Sequence, residues 1–435
     1  MLLERARGAL PEGTTAVGVG LVVASATAYL VVIIVNGMVG DRGYAGFAVF
    51  WSLLFSAGTG LFLPLEQEVS RAIAHRRAVH VGSRPLIERA AVVGGIAAGV
   101  MAAIALGLAQ PIVDNLFHGS TGLLVGFVIS LFGFYAMYLA RGVLSGHGRF
   151  VPYGTMVGLD GAVRLVLVAG LAIAGVHHVG AYGIAMGITP FIAVAAVLLD
   201  RHGLLEPGPH SAWTELSTAL GLLLTGSVLA QVLAYLPLIV VGAGPSHAVA
   251  RSFTNAFFVA RIPVLMFMAV QAALLPKLAR LAASEQHLDF RAALRRLLWA
   301  VVGVAILGTL VAFAFGPFVG NKIFPDKFHV SRTDLGVLAA GSGAYIIAQT
   351  LTQALIALKA YGRAAVGWIV GVLGYVVVQV ALDVHLTLEV SIAFLAGSAA
   401  GAAIMGLLLA QRMRGAVPES ADVIIEAITH EPVEI

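Results

Sequence analysis

The chain contains no cysteine among its 435 residues. That absence excludes disulfides, thiolate metal sites and cysteine nucleophiles, and no cysteine/histidine cluster with ligand spacing exists to hold a metal. Charge is nearly as scarce. Only 11% of the residues are Asp, Glu, Lys or Arg, against 59% hydrophobic residues and a mean hydropathy of +0.95. A soluble globular chain cannot present that composition to water, so the sequence reads as an all-α polytopic membrane protein. The net charge of +4 is small, and its basic residues are spread over short loops between apolar runs rather than gathered on one face. Nucleic acid is therefore not an expected partner. The first apolar run is too long for the h-region of a signal peptide and lacks a small-residue cleavage site, so it is expected to be a mature helix.

What is present is a series of apolar runs long enough to span a bilayer. They fall at Thr14–Val39, Tyr44–Leu65, Ala90–Gln110, Gly122–Leu144, Tyr153–Val176 and Tyr182–Leu199. After a polar joint at 200–215, which holds Pro207 and Pro209, six more follow at Leu216–Val241, Ser252–Leu275, Leu297–Phe315, Leu335–Leu358, Ala365–Leu382 and Val390–Ala410. Twelve transmembrane helices are expected. Of the 26 Lys and Arg residues, nineteen fall on one alternate set of loops and five on the other, Arg164 and Arg261 being inside spans. Short cytoplasmic loops retain basic residues, so both termini are expected in the cytoplasm.

The two sets of six helices resemble each other. Ala28-Tyr29-Leu30 matches Ala234-Tyr235-Leu236, Leu63-Pro64 matches Leu275-Pro276, Gly148-Arg149 matches Gly362-Arg363, and Arg201 matches Arg412, at offsets from 206 to 214. Such order predicts a tandem repeat of a six-helix unit. The expected organisation is a cytoplasmic segment 1–13, an N-lobe 14–199, a linker 200–215, a C-lobe 216–410 and a cytoplasmic tail 411–435. Six is even, so the two lobes share one orientation and are related by an axis along the membrane normal, an arrangement used by transporters with a site between the halves.

Charges inside the spans point to that site. Arg261 lies about ten residues into its segment, roughly 15 Å along the axis, near the middle of a ~30 Å hydrocarbon layer. A charge at that depth is costly and normally faces protein or water. Pro263, two residues on, and Pro237 in the seventh span are candidate hinges, because a proline removes an amide donor and bends its helix. Arg261 is expected on the wall of an aqueous, cationic chamber, or else as a structural arginine bonded to helix-end carbonyls or to Asp160. Asp160 and Arg164 stand at i and i+4 in the fifth span and can pair. Neutral polar positions recur at helical spacing: Ser25, Tyr29 and Asn36; Ser227, Gln231 and Tyr235; Tyr345, Gln349 and Thr352. They suit sugar hydroxyls or interhelical hydrogen bonds. Arg251 and Asn255 share a face near the outer mouth, as a release guide or a lipid-headgroup anchor. Glu66, Glu68 and Arg71 end the second span, as an interlobe gate or a solvated helix end. There is no catalytic constellation and no cofactor site is expected. The longest outer loop, Gly316–Asp334, carries only Asp326 and Asp334 as acids, which argues against a membrane glycosyltransferase, polymerase or ligase.

Three stretches carry a resemblance: LPLEQEVSRAIAHRRA (Leu63–Ala78), RGVLSGHGRFVPYG (Arg141–Gly154) and the ARIPVLMF…ALLPKLA pattern from Ala260. They resemble the polysaccharide-export, O-antigen-type branch of the multidrug/oligosaccharidyl-lipid/polysaccharide (MOP) flippase superfamily. That resemblance implies a V-shaped bundle that moves a polyprenyl-pyrophosphate-linked oligosaccharide, or a related cell-envelope glycolipid, from the inner to the outer leaflet of a bacterial inner membrane. It implies membrane lipids and glycosyltransferases of the same pathway as partners; Arg261, permanently charged and able to fork onto two oxygens, is the candidate for engaging the pyrophosphate. An ion-coupled multidrug exporter is the competing expectation. It should carry embedded acids for cationic cargo, whereas Arg164 and Arg261 against Asp160 leave the buried balance positive.

Overall fold

In a computed structural model, residues 13–198, 203–210, 219–261, 287–325 and 327–414 are described. Their regular structure is helical. α1 (Thr14–Met38) leads to α2 (Asp41–Ala57), which passes through a π-helical turn at Gly58–Phe62 directly into α3 (Leu63–Ala78). Then come α4 (Arg84–Gly107), α5 (Thr121–Gly146), α6 (Phe150–Ile173), α7 (Val179–Val197), α8 (Ala219–Gly242), α9 (His247–Ala260), α10 (His287–Ile323), α11 (Arg332–Ala357), α12 (Tyr361–Ala381) and α13 (Leu386–Arg414). Eleven helical stretches, with α2 and α3 counted as one, are long and apolar enough to cross a membrane. This is an all-α polytopic membrane protein.

Where the hydropathy pattern and the helices differ, the reasons are local. The second span was expected to end at Leu65, yet the helix runs on to Ala78. Pro64 sits in the first turn of α3, where its missing N–H costs little, and the π turn before it absorbs the mismatch in bonding. Polar residues after Leu65 ended the apolar signal without ending the helix. α10 likewise extends beyond Leu297–Phe315 at both ends. The eighth expected span begins as α9 with Arg261 as its C-cap. Its continuation, including Pro263, lies outside the described residues, as do Lys277, Arg280 and the tail after Arg414. Twelve spans are thus an expectation, and eleven are seen among the described residues.

Small residues let the helices touch backbone to backbone. A Cβ on Gly20 of α1 would stand 2.2 Å from the Gly154 carbonyl of α6, and one on Gly126 of α5 would stand 2.4 Å from Gly183 of α7. In the second half Gly371 and Gly397 bring α12 and α13 together in the same way, at 2.5 Å from a Gly397 Cβ to the Gly371 carbonyl. Lipid supplies no hydrophobic drive for helix association, so close packing of this kind has to hold the bundle. Gly154→Leu is expected to pry α1 from α6 and cost roughly 1–3 kcal/mol, the usual range for overpacking. A lower melting temperature of the detergent-solubilised protein, with no change on mutating the uncrowded Gly170, is the check.

α1, α6, α5 and α7 pack among themselves, as do α10, α11, α12 and α13. The elements that cross between them are α2, which packs on α8 and α9, and its π turn and α3, which pack on α8. Part of the segment joining the halves docks on the α3–α4 turn. There Arg76 Nη1 donates to the Gly82 carbonyl (2.7 Å), and the Arg84 amide donates to the Glu206 carbonyl (3.0 Å).

Candidate functional site

The α2–α8–α9 contact is held most heavily at the end away from the basic loops. Arg251, in the second turn of α9, is buried and reaches into the C-terminal end of α1. Its Nε donates to Asn36 Oδ1 (2.8 Å), and its Nη2 donates to the carbonyls of Asn36 (2.6 Å) and Val39. Its Nη1 pairs with Asp41 at the start of α2. The last carbonyls of a helix have no internal partner and carry negative partial charge, so a guanidinium with several donors caps them well. Asn255, one turn further along α9 and fully buried, accepts from Tyr44 Oη of α2 (3.0 Å) and donates to the Lys327 carbonyl (2.9 Å). Lys327 Nζ closes the ring on the Asn36 carbonyl (3.0 Å). Burial and Arg251 lower the Lys327 pKa, while Asp41 works in the opposite direction.

These residues form a clasp between the two halves. Arg251 and Asn255 share a face, as their spacing predicts, but they engage protein rather than headgroups, and Asn36 belongs to the clasp rather than to a cavity wall. Arg251→Gln removes the Asp41 pair and the fork on the helix end together. It is expected to open this end, which a distance measurement between labels on α6 and α10 would read as a population shifted to longer separations; an unchanged distribution would rule out the clasp.

At the other end the halves part. A cleft of about 530 Å³, including its open mouth, lies between the start of α3 and helices α8, α11 and α12. Among the described residues its polar lining is neutral: Gln67, Ser227, Gln231, Gln349, Thr352, Gln353 and Tyr361, together with Trp368. Gln231 and Gln349, which the sequence offers either to sugar hydroxyls or to interhelical hydrogen bonds, are part of this lining. Ser227 Oγ donates to the Thr59 carbonyl (3.0 Å) and Ser56 Oγ to the Gln231 carbonyl (3.4 Å), so the π turn region joins the inner part of the cleft.

Arg261 stands one layer beyond this lining. Its guanidinium packs on the rings of Phe257 (4.3 Å), Tyr235 (5.0 Å) and Tyr345 (5.8 Å). Nη2 donates to the Ala234 carbonyl (2.8 Å), in the turn of α8 that precedes Pro237. A proline within a helix turns nearby carbonyls away from regular bonding, which leaves them open to such a donor. Nε is buried without a hydrogen-bond partner. Among the described residues no carboxylate lies within ion-pair distance of Arg261. Tyr29 of α1 donates to the Phe258 carbonyl (2.9 Å) and thus belongs to the same aromatic wall. From the box a short relay reaches the cleft: Gln349 Nε2 donates to Tyr345 Oη (2.7 Å), which donates to the Ala230 carbonyl (3.2 Å).

Asp160 and Arg164 are a closed pair. Both are buried, they form an ion pair one turn apart on α6, and Thr189 Oγ1 of α7 donates to the free Asp160 oxygen (2.8 Å). Neither lines the cleft. Among the described residues Asp160 bonds Arg164 and Thr189, and no contact joins it to Arg261.

Glu66 is neither a solvated helix end nor a link between the halves. It is buried in the first half, 3.1 Å from Arg141 Nε, and accepts from Tyr153 Oη (2.8 Å). Arg141 also donates to Tyr153 Oη (2.6 Å) and lies over the Tyr138 ring. Arg141 lies within α5, not in the turn that follows it. Its spacing of twelve residues from Tyr153 across a tight turn was the available signal. Glu68 is buried and pairs with Arg71 one turn away (2.6 Å).

No protein-family model matches the chain. An uncharacterized protein of Mycobacterium tuberculosis is 26% identical over 432 residues, covering 93% of each chain. Another, of Mycobacterium bovis, is 26% identical over 394 residues, covering 84% of this chain and 85% of its own. Among solved structures, the inward-facing form of a multidrug-resistance MATE family transporter of the MOP superfamily superposes with a TM-score of 0.71. It is 14% identical, over 92% of this chain and 95% of that one. Its outward-facing form gives 0.68 at 15% identity, over 93% and 95%. A Vibrio cholerae MATE transporter in its bent form gives 0.67 at 16%, over 95% and 99%. The chain has the fold of MOP-superfamily transporters.

Proposed function

We propose that this chain moves a phosphorylated lipid, a polyprenyl-pyrophosphate-linked oligosaccharide or a related cell-envelope glycolipid, between the leaflets of a bacterial inner membrane by alternating access. The observation that carries the reading is Arg261. It is a permanent charge deep in the span region, set between Tyr29 of one half and Tyr235 and Tyr345 of the other, with no acid to cancel it among the described residues. Its Nε has no hydrogen-bond partner among the described residues, and a guanidinium can fork onto phosphate oxygens. A neutral, amide-rich cleft suits sugar hydroxyls, and the clasp and cleft at opposite ends suit a carrier whose halves rock about the site between them. In this reading 14–199 and 216–410 are the two lobes, both termini are cytoplasmic, the cleft faces the cytoplasm, and glycosyltransferases supply the cargo.

The MATE-like neighbours favour a second reading, an exporter of multiple drugs. Cationic drugs call for an acid in the binding space, and the described cleft lining supplies none. Reconstitution in vesicles separates the two. The flippase reading expects a labelled polyprenyl-pyrophosphate-linked sugar to change leaflets and a cationic dye to stay put, and the reverse result overturns it.

A further inference from the structure

At the clasp end a second contact between the halves is built from two histidines. His118 sits in the turn between the segment 112–116 and α5, with a left-handed backbone (φ 50). His247 opens α9. Their rings meet edge to face with centroids 4.5 Å apart. His118 Nε2 lies 2.7 Å from the Gly242 carbonyl at the end of α8. A carbonyl only accepts, so Nε2 carries the proton and the neutral ring keeps its lone pair on Nδ1. His247 Nδ1 is buried with no hydrogen-bond partner. We propose that the His118–His247 contact is an acid-sensitive latch, which holds the clasp end shut while the His118 imidazole is neutral and releases it when that ring is protonated.

The surroundings make the neutral form the stable one. Burial lowers the His118 pKa, and His247 and Arg42 lower it further, while the bond to Gly242 opposes them. Arg42 reaches this turn from the start of α2, with Nη2 3.4 Å from the place a Cβ on Gly119 would occupy. α8 contributes a carbonyl and no charge to the contact, α9 contributes His247, and Asp114 on the same segment as His118 is exposed. Acid would therefore place an imidazolium at His118 beside His247 and the Arg42 guanidinium, and no carboxylate is among the groups that act on it. When the halves separate, the His118 ring regains water and the ordinary imidazole pKa of about 6.5. Protons then bind the open form better, so the sign is fixed: the closed form is favoured above that range and loses ground as pH falls through it.

This latch stands on the fold and on two halves that separate, not on the identity of the cargo, so it can fail while the flippase reading survives, and the reverse. The absence of native cysteine allows clean labelling: Ala174→Cys after α6 and Lys322→Cys in α10, both exposed, carry spin labels in the full-length protein in nanodiscs without cargo. Between about pH 8 and about pH 5 the long-distance population is expected to rise by about tenfold. His118→Gln keeps a donor for Gly242 and His247→Phe keeps an aromatic ring, and together they should flatten the response. Arg42→Gln should move the midpoint to higher pH. A wild-type distribution that does not change with pH overturns the latch, as does a response that persists unaltered in the double variant. If the double variant does not fold, an unmoved midpoint in Arg42→Gln overturns it as well.

Discussion

Arg261→Ala is expected to abolish translocation of a polyprenyl-pyrophosphate-linked sugar while leaving the protein folded in the membrane. Each hydrogen bond between a charged donor and a phosphate oxygen contributes about 1.5–3 kcal/mol, so losing a forked pair is expected to cost on the order of 100-fold or more. Stability should suffer little. The bond to the Ala234 carbonyl and the packing on Phe257, Tyr235 and Tyr345 are lost, but no buried acid is left behind without its partner. Arg261→Lys separates charge from shape. An ammonium can neither fork onto two oxygens nor stack on three rings as a plane, so partial activity is expected, about tenfold below wild type. Full activity in Arg261→Lys would mean that bare charge suffices, and retained translocation in Arg261→Ala would remove the residue from the mechanism.

The second large effect is on stability, and it comes from the closed pair on α6. Asp160→Asn leaves the Arg164 guanidinium buried against Phe55 with no counter-charge. Removing one partner of a buried pair costs about 3–5 kcal/mol, whereas removing both charges is close to neutral. Asp160→Asn combined with Arg164→Gln should therefore recover much of the melting temperature lost in the single variant. A double variant no more stable than the single one would show that the pair is not what holds these residues in the bundle.

How much of this was legible in the sequence depends on how far apart the partners lie. Helices announced themselves by apolar length, and the Asp160–Arg164 pair by its spacing within one helix. Arg261 was found by depth alone, since any guanidinium at mid-membrane must face something other than lipid. Its aromatic box was not legible, because Tyr235 and Tyr345 come from helices that hydropathy cannot place side by side. The clasp was hidden for the same reason: Arg251 meets Asn36, Val39 and Asp41 across more than 200 residues of sequence. Glu66 was misjudged because the apolar run stops near it, while the helix continues to Ala78 and Arg141 approaches from 75 residues away. Composition can say that a charge ends a hydrophobic run. It does not say whether that charge meets water or another side chain.

The positive charge at Arg261 is the claim from which the functional reading descends. Binding of polyprenyl pyrophosphate and of the unphosphorylated polyprenol to the nanodisc-embedded protein, wild type against Arg261→Gln, measures it directly. Wild type is expected to hold the pyrophosphate lipid about 100-fold more tightly than the alcohol, and Arg261→Gln to lose most of that difference. Equal preference for the pyrophosphate in both proteins would contradict the account.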